Sequence, residues 1–125
     1  MNRNLIYTFS FILYALIISC KKDNHTDIIT PIHSASLHII VVKPDSTFTN
    51  QPLSGVTIYL FLTDNDRSLN QNVKYTGTVN DSGKISFTSL HDNYYYLLAS
   101  HPTLGTKKSE TATPDKSVSY EEIDY

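Results

Sequence analysis

The chain has 125 residues, with 10 lysines and arginines against 12 aspartates and glutamates, and its formal charge of −2 offers no basic surface for a nucleic-acid backbone. That length suits one domain and leaves too little for a comfortable second. A single cysteine excludes an intrachain disulfide, so a fold built from this chain stands on its apolar core.

Arg3 is the only charge ahead of an apolar run, LIYTFSFILYALIIS, from Leu5 to Ser19. A short basic segment followed by such a run reads as a secretory signal helix, because a spanning helix needs about 20 apolar residues. Ile17, Ile18, Ser19 and Cys20 resemble the lipobox of bacterial lipoproteins, departing from it only in Ile17, where Leu or Val is commoner. The resemblance implies that residues 1–19 are a signal peptide, cut away before a diacylated Cys20. Three acyl chains, at ~0.8 kcal/mol per buried methylene, would make membrane lipid a permanent partner. A catalytic thiolate would need a base fixed by a fold, and Cys20 stands outside any folded domain. The plainer alternative is an ordinary signal or uncleaved anchor with an incidental Cys20. Removing residues 1–19 takes away Arg3 and leaves 106 residues at a formal charge of −3.

Residues 20–35 are polar, contain Pro31 and lack a sustained period, as expected of a tether that reaches up to about 50 Å when extended. A domain over residues 36–125 follows. Ser36–Lys43 is a β-branched run ended by the turn-prone PDST. Val56–Thr63 is the second strand, with Val56, Ile58, Leu60 and Leu62 on the core face and Thr57, Tyr59 and Phe61 opposite. DNDRSLNQN reads as a polar loop, and Val73–Val79 as a third strand with Val73, Tyr75 and Val79 on one face. NDSG then turns the chain into a hairpin partner, Lys84–Thr88, whose Ile85 and Phe87 point inward. Asn93–Ser100 is a fifth strand, and weaker ones are expected at Gly105–Thr111 and Ser117–Ile123. Short strands punctuated by Gly, Pro, Asn and Asp predict an all-β, antiparallel, seven-stranded sandwich.

PLSGVTIYLF, YTGTVNDSGKISFTSL and YYYLLAS, in that order, resemble the carboxypeptidase regulatory-like domains, which have a prealbumin (transthyretin-like) sandwich. Gly55 and Val56, then Asp81, Gly83, Ile85, Phe87 and Leu90, then Tyr95, Leu97 and Ala99 carry the likeness. It implies a fold and leaves activity open.

No catalytic residue, metal site or cofactor is expected. The transthyretin-related hydroxyisourate hydrolases resemble this fold but end in YRGS, whereas this chain ends SYEEIDY. Intradiol dioxygenases hold iron with two tyrosines and two histidines, yet the spacing around His91 and His101 does not match. Collagen-adhesin B-type domains join a lysine to an asparagine or aspartate with a glutamate's help, and no glutamate stands near Ala99 or Ser100 to assist Lys43. Asp64, Asp66, Ser68 and Asn70 alternate as calcium ligands do, but Leu69 and Tyr75 occupy the places of the glycine and bidentate glutamate.

The aromatic residues Tyr59, Phe61, Tyr94 and Tyr96 fall opposite the core positions and form a candidate binding face for an envelope protein or a glycan. Pairing across strands, or cover by the tail from Lys107 to Tyr125, would remove them from solvent. The expectation is a non-enzymatic, lipid-anchored accessory module of the cell envelope, at the outer membrane. Glycan binding through exposed aromatics is the second reading, and a metal-dependent or hydrolytic enzyme the third.

Overall fold

The computed structural model describes residues 33–125. The apolar leader, Cys20 and the tether as far as residue 32 lie outside the described residues. β1 (Ala35–Pro44) buries Ala35, Leu37, Ile39 and Val41 and turns Ser36, His38 and Ile40 outward, the alternation of a strand with one face on a core. Along one edge it pairs antiparallel with β5 (Lys84–Leu90) and then with the short β2 (Asn50–Pro52). Its other edge pairs in parallel with β8 (Val118–Asp124). The two edges meet near Val41 and Val42. Val41 N donates to Gly83 O at 2.8 Å and its carbonyl accepts from Leu53 N at 2.9 Å, while Val42 O accepts from Tyr125 N at 3.0 Å.

The second sheet runs β4 (Tyr75–Thr78), β3 (Thr57–Phe61), β6 (Tyr94–His101), β7 (Gly105–Ala112), with every neighbour antiparallel. Leu37, Ile39 and Val41 from the first sheet meet Ile58, Leu60, Tyr95, Leu97 and Ala99 from the second in one core. Full burial contributes roughly 1.5–3 kcal/mol for each large aliphatic side chain. The all-β sandwich expected from the strand pattern is therefore the fold, with eight strands against the predicted seven and one parallel pair, β1 with β8.

The sequence pattern also misplaces three local features. Lys84–Leu90 is not the hairpin partner of the strand before it, because the Asn80–Gly83 turn carries the chain from the second sheet to the first. Gly77 lets the sheets close at that edge, since a Cβ there would stand 2.6 Å from Ile85 Cδ1. The expected polar loop contains α1 (Asp64–Leu69). Its cap is reciprocal: Asp66 N donates to Thr63 Oγ1 at 3.0 Å, and the Thr63 hydroxyl returns a bond to Asp66 Oδ2 at 2.7 Å. Val73 precedes β4 and is exposed, while Tyr75 packs against the core and Val79 is buried.

At the opposite edge β7 and β8 are laced together by polar side chains. Ser109 Oγ donates to Glu121 Oε1, Ser119 Oγ to Ala112 O at 2.7 Å, and Tyr125 OH to Gly105 O at 3.3 Å. The beginning of β1 is tied to the same side, where Ser34 N donates to Asp115 Oδ1 at 2.9 Å.

Candidate binding surface

The outer face of the second sheet does not present the four expected aromatics together. Phe61 lies opposite Tyr96 in register, as alternation predicts, yet it is fully buried. The correction has a physical cause: α1, formed where a loop was expected, lies against β3 and β6 and closes over this end of the face. Arg67 extends the cover. Its guanidinium stands 5.2 Å from the centre of the Tyr96 ring, and Nη1 donates to Ser109 O at 2.7 Å. Tyr94 is exposed, whereas Tyr59 and Tyr96 are half-buried. Tyr94 and Tyr96 meet edge to face at 5.3 Å and 67°, so they do not form the coplanar platform that stacking on sugar rings requires.

The polar residues weighed for chemistry are dispersed. His91 and His101 stand at the two ends of β6, separated by a strand of about 3.4 Å per residue. His91 Nδ1 contacts His33 O at 3.0 Å, and His101 Nδ1 accepts from Thr103 N and Leu104 N at 3.3 Å. Asp64 is held by Arg67, at 2.5 Å from Nη2 and 3.0 Å from Nε. Asp66 is occupied by the helix cap and by Asn72 Nδ2 at 2.8 Å. Those bonds, from Thr63 first and Asn72 next, lower its pKa below the ordinary 3.8. Lys43 is exposed at the end of β1. Among the described residues no three His, Cys, Asp or Glu side chains converge. Burial raises the Tyr95 phenol above its usual 10.0, and its hydroxyl bonds to Asp92 Oδ2 at 3.2 Å beneath the sheet.

The most exposed aromatics stand elsewhere, and the sequence reading passes over both. Tyr120 is 72% exposed on the outer face of the first sheet. In register it faces His38, which in turn faces Ser86, while Glu122, Ile40 and Lys84 make the next row. The Tyr120 and His38 rings stack at 5.3 Å and 21°, and His38 Nδ1 lies 2.7 Å from Ser86 Oγ. Beside them is a shallow depression of about 170 Å³, bordered by His38, Ile40, Lys84, Ile85 and Tyr120.

Phe48 is 92% exposed at the tip of the turn from β1 to β2, with φ of 57°. The turn around it is firmly built. Asp45 N donates to Thr49 O at 3.0 Å, and Phe48 N to Asp45 O at 3.1 Å. Asp45 Oδ1 accepts from Thr47 N at 2.7 Å, Thr47 Oγ1 at 2.6 Å and Thr49 N at 3.1 Å. These bonds, the Thr47 hydroxyl first, lower the Asp45 pKa. A left-handed conformation costs a side-chain-bearing residue roughly 1–2 kcal/mol. Phe48 therefore holds an unfavourable conformation while its ring touches little of the fold. The signal was present in PDSTFTN, as an aromatic in an otherwise polar turn.

Two packed sheets define a β-sandwich, and among the described residues no three His, Cys, Asp or Glu side chains gather on it. No protein-family model and no curated protein matches the sequence. Among solved structures it is similar to the minor pilin GBS52 of Streptococcus agalactiae, with a TM-score of 0.57 and 16% identity over 74% of this chain and 44% of that one. It is also similar to the TIE protein of Bacillus anthracis, with a TM-score of 0.56 and 14% identity over 74% of this chain and 16% of that one. The chain thus spans less than half the length of either, and at these identities the likeness is one of fold.

Proposed function

We propose that the protein is a non-enzymatic accessory module of the cell envelope, held at the outer membrane by an acylated Cys20, with its sandwich displayed on the tether. The observation that carries this reading is the division of labour on the domain surface. Its titratable groups are spread among turns, caps and edges, with His91 and His101 at opposite ends of β6, while its most exposed large apolar side chains are the aromatic Phe48 and Tyr120. Single rings on a rigid scaffold suit recognition, because they bury large area at low entropic cost. A minor pilin built on the same fold supports a structural or adhesive role at a cell surface. The motif order from Gly55 to Ala99 supports a sandwich of the carboxypeptidase regulatory-like, prealbumin type. Glycan binding through Tyr59, Tyr94 and Tyr96 has less support, since Tyr94 and Tyr96 are not coplanar and Phe61 is buried.

Mass spectrometry of the mature N-terminus tests the anchor. The expected product begins at an acylated Cys20 and fractionates with membranes, and Cys20→Ala abolishes both the acylation and the cut, leaving an unacylated chain that keeps residues 1–19. A free, unmodified Cys20 would overturn the assignment. Co-purification from membranes, with Cys20→Ala as control, identifies what the displayed domain binds.

A further inference from the structure

We infer that the chain associates with itself, the Phe48 ring of one copy seating in the depression beside Tyr120 and His38 of another. Two independent observations meet in this contact. Phe48 is an exposed ring, held rigidly by the Asp45 bonds in a backbone conformation that favours glycine. The turn's own hydrogen bonds require the left-handed residue, but they do not require a ring there, and the ring lies 92% exposed where contact with a second surface would bury it.

The depression of about 170 Å³ supplies such a surface on the outer face of the first sheet, with Ile40 in it and the stacked Tyr120 and His38 rings beside it. Phe48 cannot fill the depression of its own copy. It lies four residues beyond Pro44, whereas the depression flanks residues 38–40, so the intervening strand alone spans about 13 Å. Charge agrees with the pairing. Lys84 and Glu122 flank Ile40 on the two neighbouring strands, and Lys43 and Asp45 flank the turn, so each rim offers both signs. A two-fold pair would seat each copy's ring in the other's depression, whereas a one-way contact, when repeated, generates rows of molecules unless the rotation closes a ring. A single ring with a small rim buries little area, placing the contact among weak interfaces that need high local concentration.

The test replaces Phe48 by the photoreactive p-benzoylphenylalanine in the purified mature chain, residues 20–125 with Cys20→Ala, so that neither acyl chains nor the apolar leader plays a part. Irradiation is expected to give a dimer whose crosslink maps to β1, β5 or β8 around His38, Ile40, Lys84 and Tyr120. Phe48→Asn keeps a residue suited to the left-handed turn but removes the ring, and Tyr120→Ala removes a wall that is 72% exposed. Each should weaken self-association, followed by sedimentation, by roughly tenfold or more. Absence of a dimer, a crosslink mapping elsewhere, or unchanged association in both variants would overturn the contact while leaving the anchor at Cys20 untouched.

Discussion

The fold contains the same turn twice, once with glycine and once with phenylalanine at its critical position. In Asp45–Thr49 and in Asn80–Lys84 the first residue's N–H donates to the fifth carbonyl, and the fourth N–H to the first carbonyl. In both, the first side chain accepts from the third and fifth amides: Asp45 from Thr47 and Thr49, Asn80 from Ser82 at 3.0 Å and Lys84 at 2.9 Å. The fourth residue is left-handed in each, Phe48 at φ of 57° and Gly83 at 70°. Gly83 is buried where β5 and β2 meet beside β1, whereas Phe48 projects into solvent. One turn obeys the packing of the fold and the other departs from local preference without a packing reason, a pattern expected at functional positions.

The largest effect should come from adding a single methyl to the obedient turn. A Cβ at Gly83 would stand 2.7 Å from Val41 O and 3.0 Å from Pro52 Cβ. Backbone strain and overpacking together predict that Gly83→Ala destabilises by about 2–5 kcal/mol in chemical denaturation. Phe48→Ala at the equivalent position should stay within about 0.5 kcal/mol. Equal losses would refute the distinction between a packed and a projecting turn.

Next in size is the loss of the second turn's cap. Asn80→Ala removes the acceptor of the exposed Ser82 and Lys84 amides, and should cost about 0.5–1.5 kcal/mol. Asp45→Ala should cost about the same, because it removes the acceptor of amides exposed like those of Ser82 and Lys84. Denaturation midpoints of the two variants that differ widely would show that the two caps are not equivalent.

The two turns also show where sequence reasoning succeeds. Alternation marked Ile58 and Leu60 in β3 and Tyr95, Leu97 and Ala99 in β6 as core, because period two assigns a face whatever the strand's partners. It could not say that the Asn80–Gly83 turn passes between sheets, nor that β8 joins β1 in parallel, since pairing is decided by distant segments. Phe61 was placed on the correct side of β3 but is covered by α1, a six-residue helix too short to persist alone. Its reciprocal cap, Thr63 with Asp66, was legible in the sequence; the cover it provides depends on β3 and β6 being assembled. Phe48 escaped notice because a polar turn suggests no role for the one aromatic in it.

A change of opposite sign follows at Phe48. Phe48→Gly should stabilise the isolated domain fold by up to about 1 kcal/mol, as relief of the left-handed strain outweighs the greater freedom of the unfolded chain. The gain should appear as a raised melting temperature under dilute, monomeric conditions. A fall would mean that the ring makes intramolecular contacts worth more than the strain.

The smallest difference is one of titration, since the first turn is capped by a carboxylate and the second by an amide. Hydrogen bonds, led by that from the Thr47 hydroxyl, hold the Asp45 pKa below 3.8 in the folded protein. A depressed folded pKa means that the stabilisation is fully present above the unfolded value and is lost as pH falls through the folded one. Melting temperatures of the natural chain and Asp45→Asn, compared from about pH 5 to about pH 2, should therefore diverge least at the acid end. Asp66 and Asp115 are also depressed, by bonds from Thr63 and from Ser34 N, so both proteins lose stability in acid and only their difference reports on Asp45. Asn80→Asp supplies the reciprocal case, giving the second turn the titrating cap that the first already has. A difference between the natural chain and Asp45→Asn that stays flat through this range would show that the carboxylate cap does not stabilise the turn that holds Phe48.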